Sequence, residues 1–109
     1  MNWSVEYLPE AVKDLKKLGR DRQTLVLKAI AKVKTNPLPA REGGYGKPLG
    51  NKSGNDLTGF FKIKLRDAGI RVVYKLVRTE TQMLIVVIGA RADDEVYDAA
   101  ENRKIKHGL

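Results

Sequence analysis

Phe60-Phe61-Lys62-Ile63-Lys64-Leu65-Arg66-Asp67-Ala68-Gly69-Ile70-Arg71-Val72-Val73-Tyr74-Lys75-Leu76-Val77 is the stretch whose pattern decides the fold. Phe61, Ile63 and Leu65 alternate with Phe60, Lys62, Lys64 and Arg66, and Ile70, Val72, Tyr74 and Leu76 alternate with Arg71, Val73, Lys75 and Val77. Successive side chains of a strand point to opposite faces, so each run predicts a strand with an apolar and a basic side, and Asp67-Ala68-Gly69 supplies the turn. Directly opposed residues share a face. Burying both apolar sets together therefore requires Leu65 opposite Ile70, which sets Lys64 across from Arg71. A one-residue bulge at Gly69 would shift that register.

Downstream, residues 83–89 are apolar at nearly every position, the pattern of an interior strand covered on both faces. Asp93 or Asp94 then caps a final helix with Val96, Ala99 and Ala100 inward, and its basic end, Arg103-Lys104-Ile105-Lys106, is expected to fray. Upstream, residues 37–58 combine Gly43, Gly44, Gly46, Gly50 and Gly54 with Pro37, Pro39 and Pro48, and are expected to form a long loop. Before it, Trp3, Val5 and Tyr7 alternate as in a half-buried strand, and Pro9 suits the first turn of a helix. Ala11, Val12, Leu15 and Leu18 recur at helical spacing, with Gly19 as the stop. Asp21 is the expected cap of a second helix whose stripe is Leu25, Val26, Ala29, Ile30 and Val33, ended by Asn36-Pro37. The order predicts one α+β domain over residues 1–109: a mostly antiparallel four-stranded sheet with its helices on one face, a helical hairpin packed there and a short C-terminal helix.

The 109 residues hold 21 Lys plus Arg against 13 Asp plus Glu, a net charge of +8, with one His and no Cys. A disulfide framework, a thiolate zinc site and a two-histidine acid/base pair are thereby excluded. No apolar run approaches the ~20 residues of a membrane-spanning helix, and the N-terminus lacks an export signal, so a cytoplasmic protein without membrane partners is expected. Residues 1–55 carry 11 basic and 5 acidic side chains (+6), and residues 56–109 carry 10 and 8 (+2). Between Lys62 and Arg91 there are seven basic residues and two acids. Like charges gathered on one sheet face destabilise it, which points to an anionic partner, although a solvated sheet face would carry the same residue types.

Residues 60–66, Ile70-Arg71-Val72-Val73-Tyr74, Ile88-Gly89-Ala90-Arg91 and Glu95-Val96-Tyr97 resemble signature segments of the RelE toxins of bacterial type II toxin–antitoxin pairs. Tyr7, Pro9, Ala11, Leu15 and Leu18 fit the opening pattern of the wider RelE/ParE superfamily, and the likeness runs from Val5 to Asp98. What the resemblance implies is an mRNA interferase: a toxin that cuts messenger RNA in the ribosomal A site without metal or cofactor and so inhibits translation. Its partners would be the ribosome, mRNA and an acidic RelB-like antitoxin, the toxin–antitoxin complex in turn binding operator DNA. The family's active site of two lysines on one strand, an arginine on the next, an arginine near the end of the last strand and a tyrosine in the closing helix falls on Lys62, Lys64, Arg71, Arg91 and Tyr97. Residues 41–55 are longer than in compact relatives. ParE-like toxins, which bind DNA gyrase, share the opening pattern and do not need this cluster.

The residue types can be weighed against the chemistry. Metal-free RNA cleavage requires a base for the ribose 2′-OH, charge stabilisation at phosphorus and help for the leaving 5′-oxygen, and yields a 2′,3′-cyclic phosphate and a 5′-hydroxyl. His107 lies in the expected mobile tail. A lysine serves as base only if its pKa falls well below the reference ~10.4, and neighbouring cations act in that direction. Lys64, facing Arg71 and two residues from Lys62, is the candidate base. Lys62 and Arg71 would hold the phosphate, Arg91 would stabilise the leaving oxygen, and Tyr97 would stack on a base or orient the nucleophile. A non-catalytic basic module that binds RNA by charge remains open, as do two ways for an antitoxin to block the site: covering Lys62 to Arg71, or displacing the last helix.

Overall fold

In the computed structural model, the hairpin at the centre of the chain adopts the register its alternation requires: Leu65 pairs with Ile70 and Lys64 with Arg71. Residues 66–69 make the turn, closed by the Gly69 N–H donating to the Arg66 carbonyl at 3.1 Å. The structure describes residues 3–52, 54–90 and 93–109. In chain order the elements are β1 (Ser4–Tyr7), α1 (Pro9–Lys16), α2 (Arg20–Val33), a 3-10 turn (Ala40–Glu42), β2 (Lys47–Lys52), β3 (Asn55–Leu65), β4 (Ile70–Val77), a second 3-10 turn (Arg78–Glu80), β5 (Gln82–Gly89) and α3 (Asp93–His107). The strands lie in the order β1-β5-β4-β3-β2, with β1 parallel to β5 and every other pair antiparallel.

The sheet thus has five strands rather than the expected four, because residues 37–58 are not a loop throughout. They contain a 3-10 turn, the edge strand β2 and the first residues of β3. Alternation fails there for local reasons. β2 is interrupted by Pro48 and Gly50 and is exposed at Lys47, Pro48 and Asn51. At Gly59, whose φ of +88° suits a residue without a Cβ, β3 bulges: its pairing jumps from Phe61 opposite Pro48 to Leu57 opposite Gly50. The bulge breaks the period of two, and Leu57 and Phe60 are both buried. The segment before β2 is anchored by Tyr74, which stacks on Phe61 at 5.3 Å and donates its phenol hydrogen to the Pro37 carbonyl at 2.9 Å. Burial pushes the Tyr74 phenol above its ordinary pKa, so it stays a donor.

Ile63, Ile70, Val72 and Tyr74 form the apolar face, completed by Met83 and Ile85 of β5 and covered by Ala11, Val26, Ile30 and Val33 of α1 and α2. Leu25, expected in the inward stripe of α2, is 49% exposed. The cap of α2 is Gly19 rather than Asp21, and Asp21 sits in the first turn, where its charge complements the positive end of the helix dipole.

α3 corrects two further expectations. It spans 15 residues and is not short, and it packs on the opposite face of the sheet from the helical hairpin. Gly89 pairs with Arg71, and a Cβ at Gly89 would lie 2.7 Å from Val96 Cγ2, so Val96 occupies the side toward which Arg71 and Lys64 point. The basic face is only partly basic: Phe60, Val73 and Val87 share it, and Val96 and Ala100 of α3 are buried against that side of the core.

Nor does the basic end of α3 fray. Arg103 bonds Asp14 at 2.6 Å and the Val86 carbonyl at 2.8 Å, Lys104 donates to the Asp56 carbonyl at 2.7 Å, and Lys106 and His107 meet Glu10 at 3.1 and 2.9 Å. Asp14, 9% exposed, also accepts the Ile88 N–H at 3.0 Å. β1 pairs with β5 only as far as Tyr7 opposite Ile85, and the Asp14 carboxylate satisfies a β5 donor beyond that point. This buried carboxylate ties α1, β5 and α3 together.

Two outcomes follow for stability. Asp14→Ala strands the Arg103 charge and the Ile88 N–H, and is expected to cost roughly 3 kcal/mol in urea unfolding, whereas a loss below ~1 kcal/mol would contradict the role given to the pair. The hydrogen bond from His107 lowers the Glu10 carboxyl from 4.5 to about 2. A carboxyl depressed by folding contributes stability that is fully present above its unfolded pKa and is lost as pH falls through the folded one. Glu10→Gln is therefore expected to flatten the stability profile between pH 4.5 and about 2, measured by acid titration of the unfolding midpoint.

Candidate active site

Two rows of side chains cross the sheet on the side opposite the helical hairpin. In one, Lys47 of β2 pairs with Lys62 of β3, Lys62 with Val73 of β4, and Val73 with Val87 of β5. In the next, Lys64 pairs with Arg71 and Arg71 with Gly89. Neighbouring strands lie ~4.8 Å apart, so each row sets cations side by side. Lys62 and Arg71 are half-buried, whereas Lys47 and Lys64 are exposed. Neither Lys47 nor Lys64 forms an ion pair among the described residues. Lys75 shares this face but is engaged locally, lying 5.5 Å from the Phe60 ring centroid and donating to the Leu109 carbonyl.

The structure brings together three of the five residues expected at the site, Lys62, Lys64 and Arg71. Tyr97 is in the second turn of α3 and only 4% exposed, its ring packed into the core rather than presented to solvent. Arg91 lies outside the described residues, two positions beyond Gly89 at the end of β5. His107, the one imidazole, is bonded to Glu10 of α1. A cleft of about 780 Å³ opens between the α1–α2 turn and the end of β5. Lys17, Arg20, Arg22 and Arg103 line it together with Asp14 and Asp21, and it shares Gly89 with the Lys64–Arg71 row, so a surface with an excess of cations continues past the sheet.

Lys47 was not legible as a site residue, because nothing in the local pattern marks residues 47–52 as a strand. The signal lay in the pairing, which sequence periodicity does not carry across Pro48 and Gly50. Chemically, the two rows form a rigid set of donors and positive charges with an exposed lysine beside a guanidinium. That arrangement suits a phosphodiester, whose negative charge rises as its phosphorus is attacked.

Comparison with known proteins agrees with this architecture. A family model described as the ParE toxin of type II toxin–antitoxin systems, parDE, matches residues 5–95. A RelE-like toxin protein of Escherichia coli is 30% identical over 104 residues, covering 94% of this chain and 98% of the relative. The mRNA interferase toxin RelE of Escherichia coli K12 is 26% identical over 103 residues, with the same coverage. Among solved structures, a mutant of E. coli toxin RelE in the free state superposes with a TM-score of 0.73 at 24% identity, covering all of both chains. The RelBE2 toxin–antitoxin complex of Mycobacterium tuberculosis gives 0.66 at 25% identity, covering 84% of this chain and 100% of that one.

The opposed charges have a measurable cost. Lys64→Gln removes the repulsion facing Arg71 and is expected to stabilise the free protein by ~0.5 kcal/mol, raising its melting temperature by about 2–4 °C at low salt. The gain should shrink at high ionic strength, and a lowered melting temperature would contradict the opposition read from the register.

Proposed function

The chain belongs to the RelE/ParE family of type II toxin–antitoxin toxins, and we propose on that footing that it is a ribosome-dependent endoribonuclease that cuts mRNA in the A site. The observation that carries this reading is the register that sets Lys64 opposite Arg71 with Lys62 two residues along the same face. In the proposed reaction Lys64 takes the proton of the ribose 2′-OH, whose oxygen attacks the adjacent phosphorus. Lys62 and Arg71 hold the phosphate and stabilise its growing charge, and Arg91 stabilises the departing 5′-oxygen. The products are a 2′,3′-cyclic phosphate and a 5′-hydroxyl. Tyr97 orients the nucleophile through its phenol, and stacking of a base on its ring requires the start of α3 to lift, since the ring is buried.

No metal ion is part of the proposal. Cations repel a divalent ion, and among the described residues no group of three or more His, Asp or Glu side chains is placed to ligate one. A site without a strong base gains most from a substrate already bent and held, which is why the ribosome enters the mechanism. Lys17, Arg20 and Arg22 of the cleft beside Gly89 supply further attraction for RNA. The natural inhibitor is an acidic antitoxin of the RelB type, consistent with the +8 charge and with solved relatives described as RelE–RelB complexes. Joint binding of operator DNA by that complex belongs to the same proposal, as does a cytoplasmic site of action.

A second reading, inhibition of DNA gyrase, is favoured by the ParE description of the matching family model. It leaves the two cationic rows without a task. Incubating the protein with ribosomes programmed with a defined message separates the two. A-site scission is expected, lowered ~100-fold or more by Lys64→Ala, with DNA supercoiling by gyrase unaffected. Undiminished cutting by Lys64→Ala, cutting outside the A site, or gyrase inhibition without RNA scission would each overturn the reading.

A further inference from the structure

Lys47 and Lys75 are the strand cations of this face that the five-residue constellation leaves out, and Lys75 is engaged by the Leu109 carbonyl and the Phe60 ring. Lys47 opens the edge strand β2 and stands directly opposite Lys62, so the two ammonium groups share a face. It is exposed and forms no ion pair among the described residues. Its backbone is not left to wander. Gly46 accepts from the Ala40 N–H at 3.1 Å and donates to the Leu38 carbonyl at 2.9 Å, and a Cβ at Gly46 would lie 2.9 Å from Tyr74 Oη, so the chain entering β2 is seated on the buried tyrosine. The Lys47–Lys62 and Lys64–Arg71 pairs place four cations in two adjacent rows of one sheet face.

We propose that Lys47 is a substrate-binding residue that holds the phosphodiester next to the scissile one, so that the RNA strand crosses the sheet from β4 over β3 to the edge strand β2. The proposal rests on the endonuclease reading above and deepens it: the segment between α2 and β3 adds a phosphate contact to the site. A lysine on an edge strand also blocks sheet-to-sheet pairing, but a glutamate would do that equally well, and the two roles separate on charge reversal.

The experiment is cleavage of a defined message on programmed ribosomes by wild type, Lys47→Ala, Lys47→Glu and Lys47→Arg, with thermal unfolding of each variant as a fold control. Lys47→Ala is expected to raise the half-saturating toxin concentration about 10-fold and to reduce the salt slope of binding by about one, with the saturating rate within ~2-fold of wild type. Lys47→Glu should weaken binding further and Lys47→Arg should restore it. A folded Lys47→Glu variant with wild-type half-saturation would overturn the proposal and leave the endonuclease reading standing, as would a loss confined to the saturating rate. A wild-type protein that does not cut overturns the reading itself, and the role of Lys47 with it.

Discussion

Everything in this structure turns on two strands paired so that their apolar sides coincide. Burial of Ile63, Ile70, Val72 and Tyr74 on one face leaves the sheet no choice about the other, and Lys64 comes to rest against Arg71. The repulsion is small beside the core that imposes it. Burying a single large aliphatic side chain is worth ~2 kcal/mol, against a few tenths for a pair of opposed exposed charges. Hydrophobic register therefore acts as the device that concentrates positive charge, and the fold tolerates a face that suits a phosphodiester better than water.

The second face is shared between chemistry and packing. Phe60, Val73 and Val87 lie among the cations and are sealed by α3, and Lys62 and Arg71 are half-buried at its margin. The helix is held at several points by polar contacts, of which the Asp14–Arg103 pair is the most buried. Those contacts fix Tyr97 inside the core and define what must give way if its ring is to meet a base. An antitoxin that competes for the polar anchors of α3 and one that covers the open cations would leave different parts of the protein exposed.

The central hairpin was legible to the residue, because two unbroken alternations and a turn leave one register that buries both apolar sets. The helical hairpin was legible for the same reason at helical spacing, apart from its cap. What escaped was set by long-range contacts. β2 hides behind Pro48 and Gly50, the bulge at Gly59 breaks the period at the start of β3, and the segment before β2 is anchored by contacts distant in sequence, Tyr74 to Pro37 and Arg78 to Glu42. The side taken by α3 and the seating of its basic end depend on Asp14, a residue that looks like an ordinary helix-surface aspartate until Ile88 and Arg103 are placed beside it. Of the candidate site, the cations on the hairpin were readable and Lys47 was not, because its membership is a fact of strand pairing.

The account stands or falls on whether the clustered cations act on an RNA phosphate attacked by its own 2′-hydroxyl. The most direct measurement uses ribosomes programmed with a message carrying a single 2′-deoxyribose at the nucleotide that precedes the cut. The protein should bind these ribosomes as it binds those with an unmodified message, and should leave the strand intact at that position. Scission there at an undiminished rate would contradict the account.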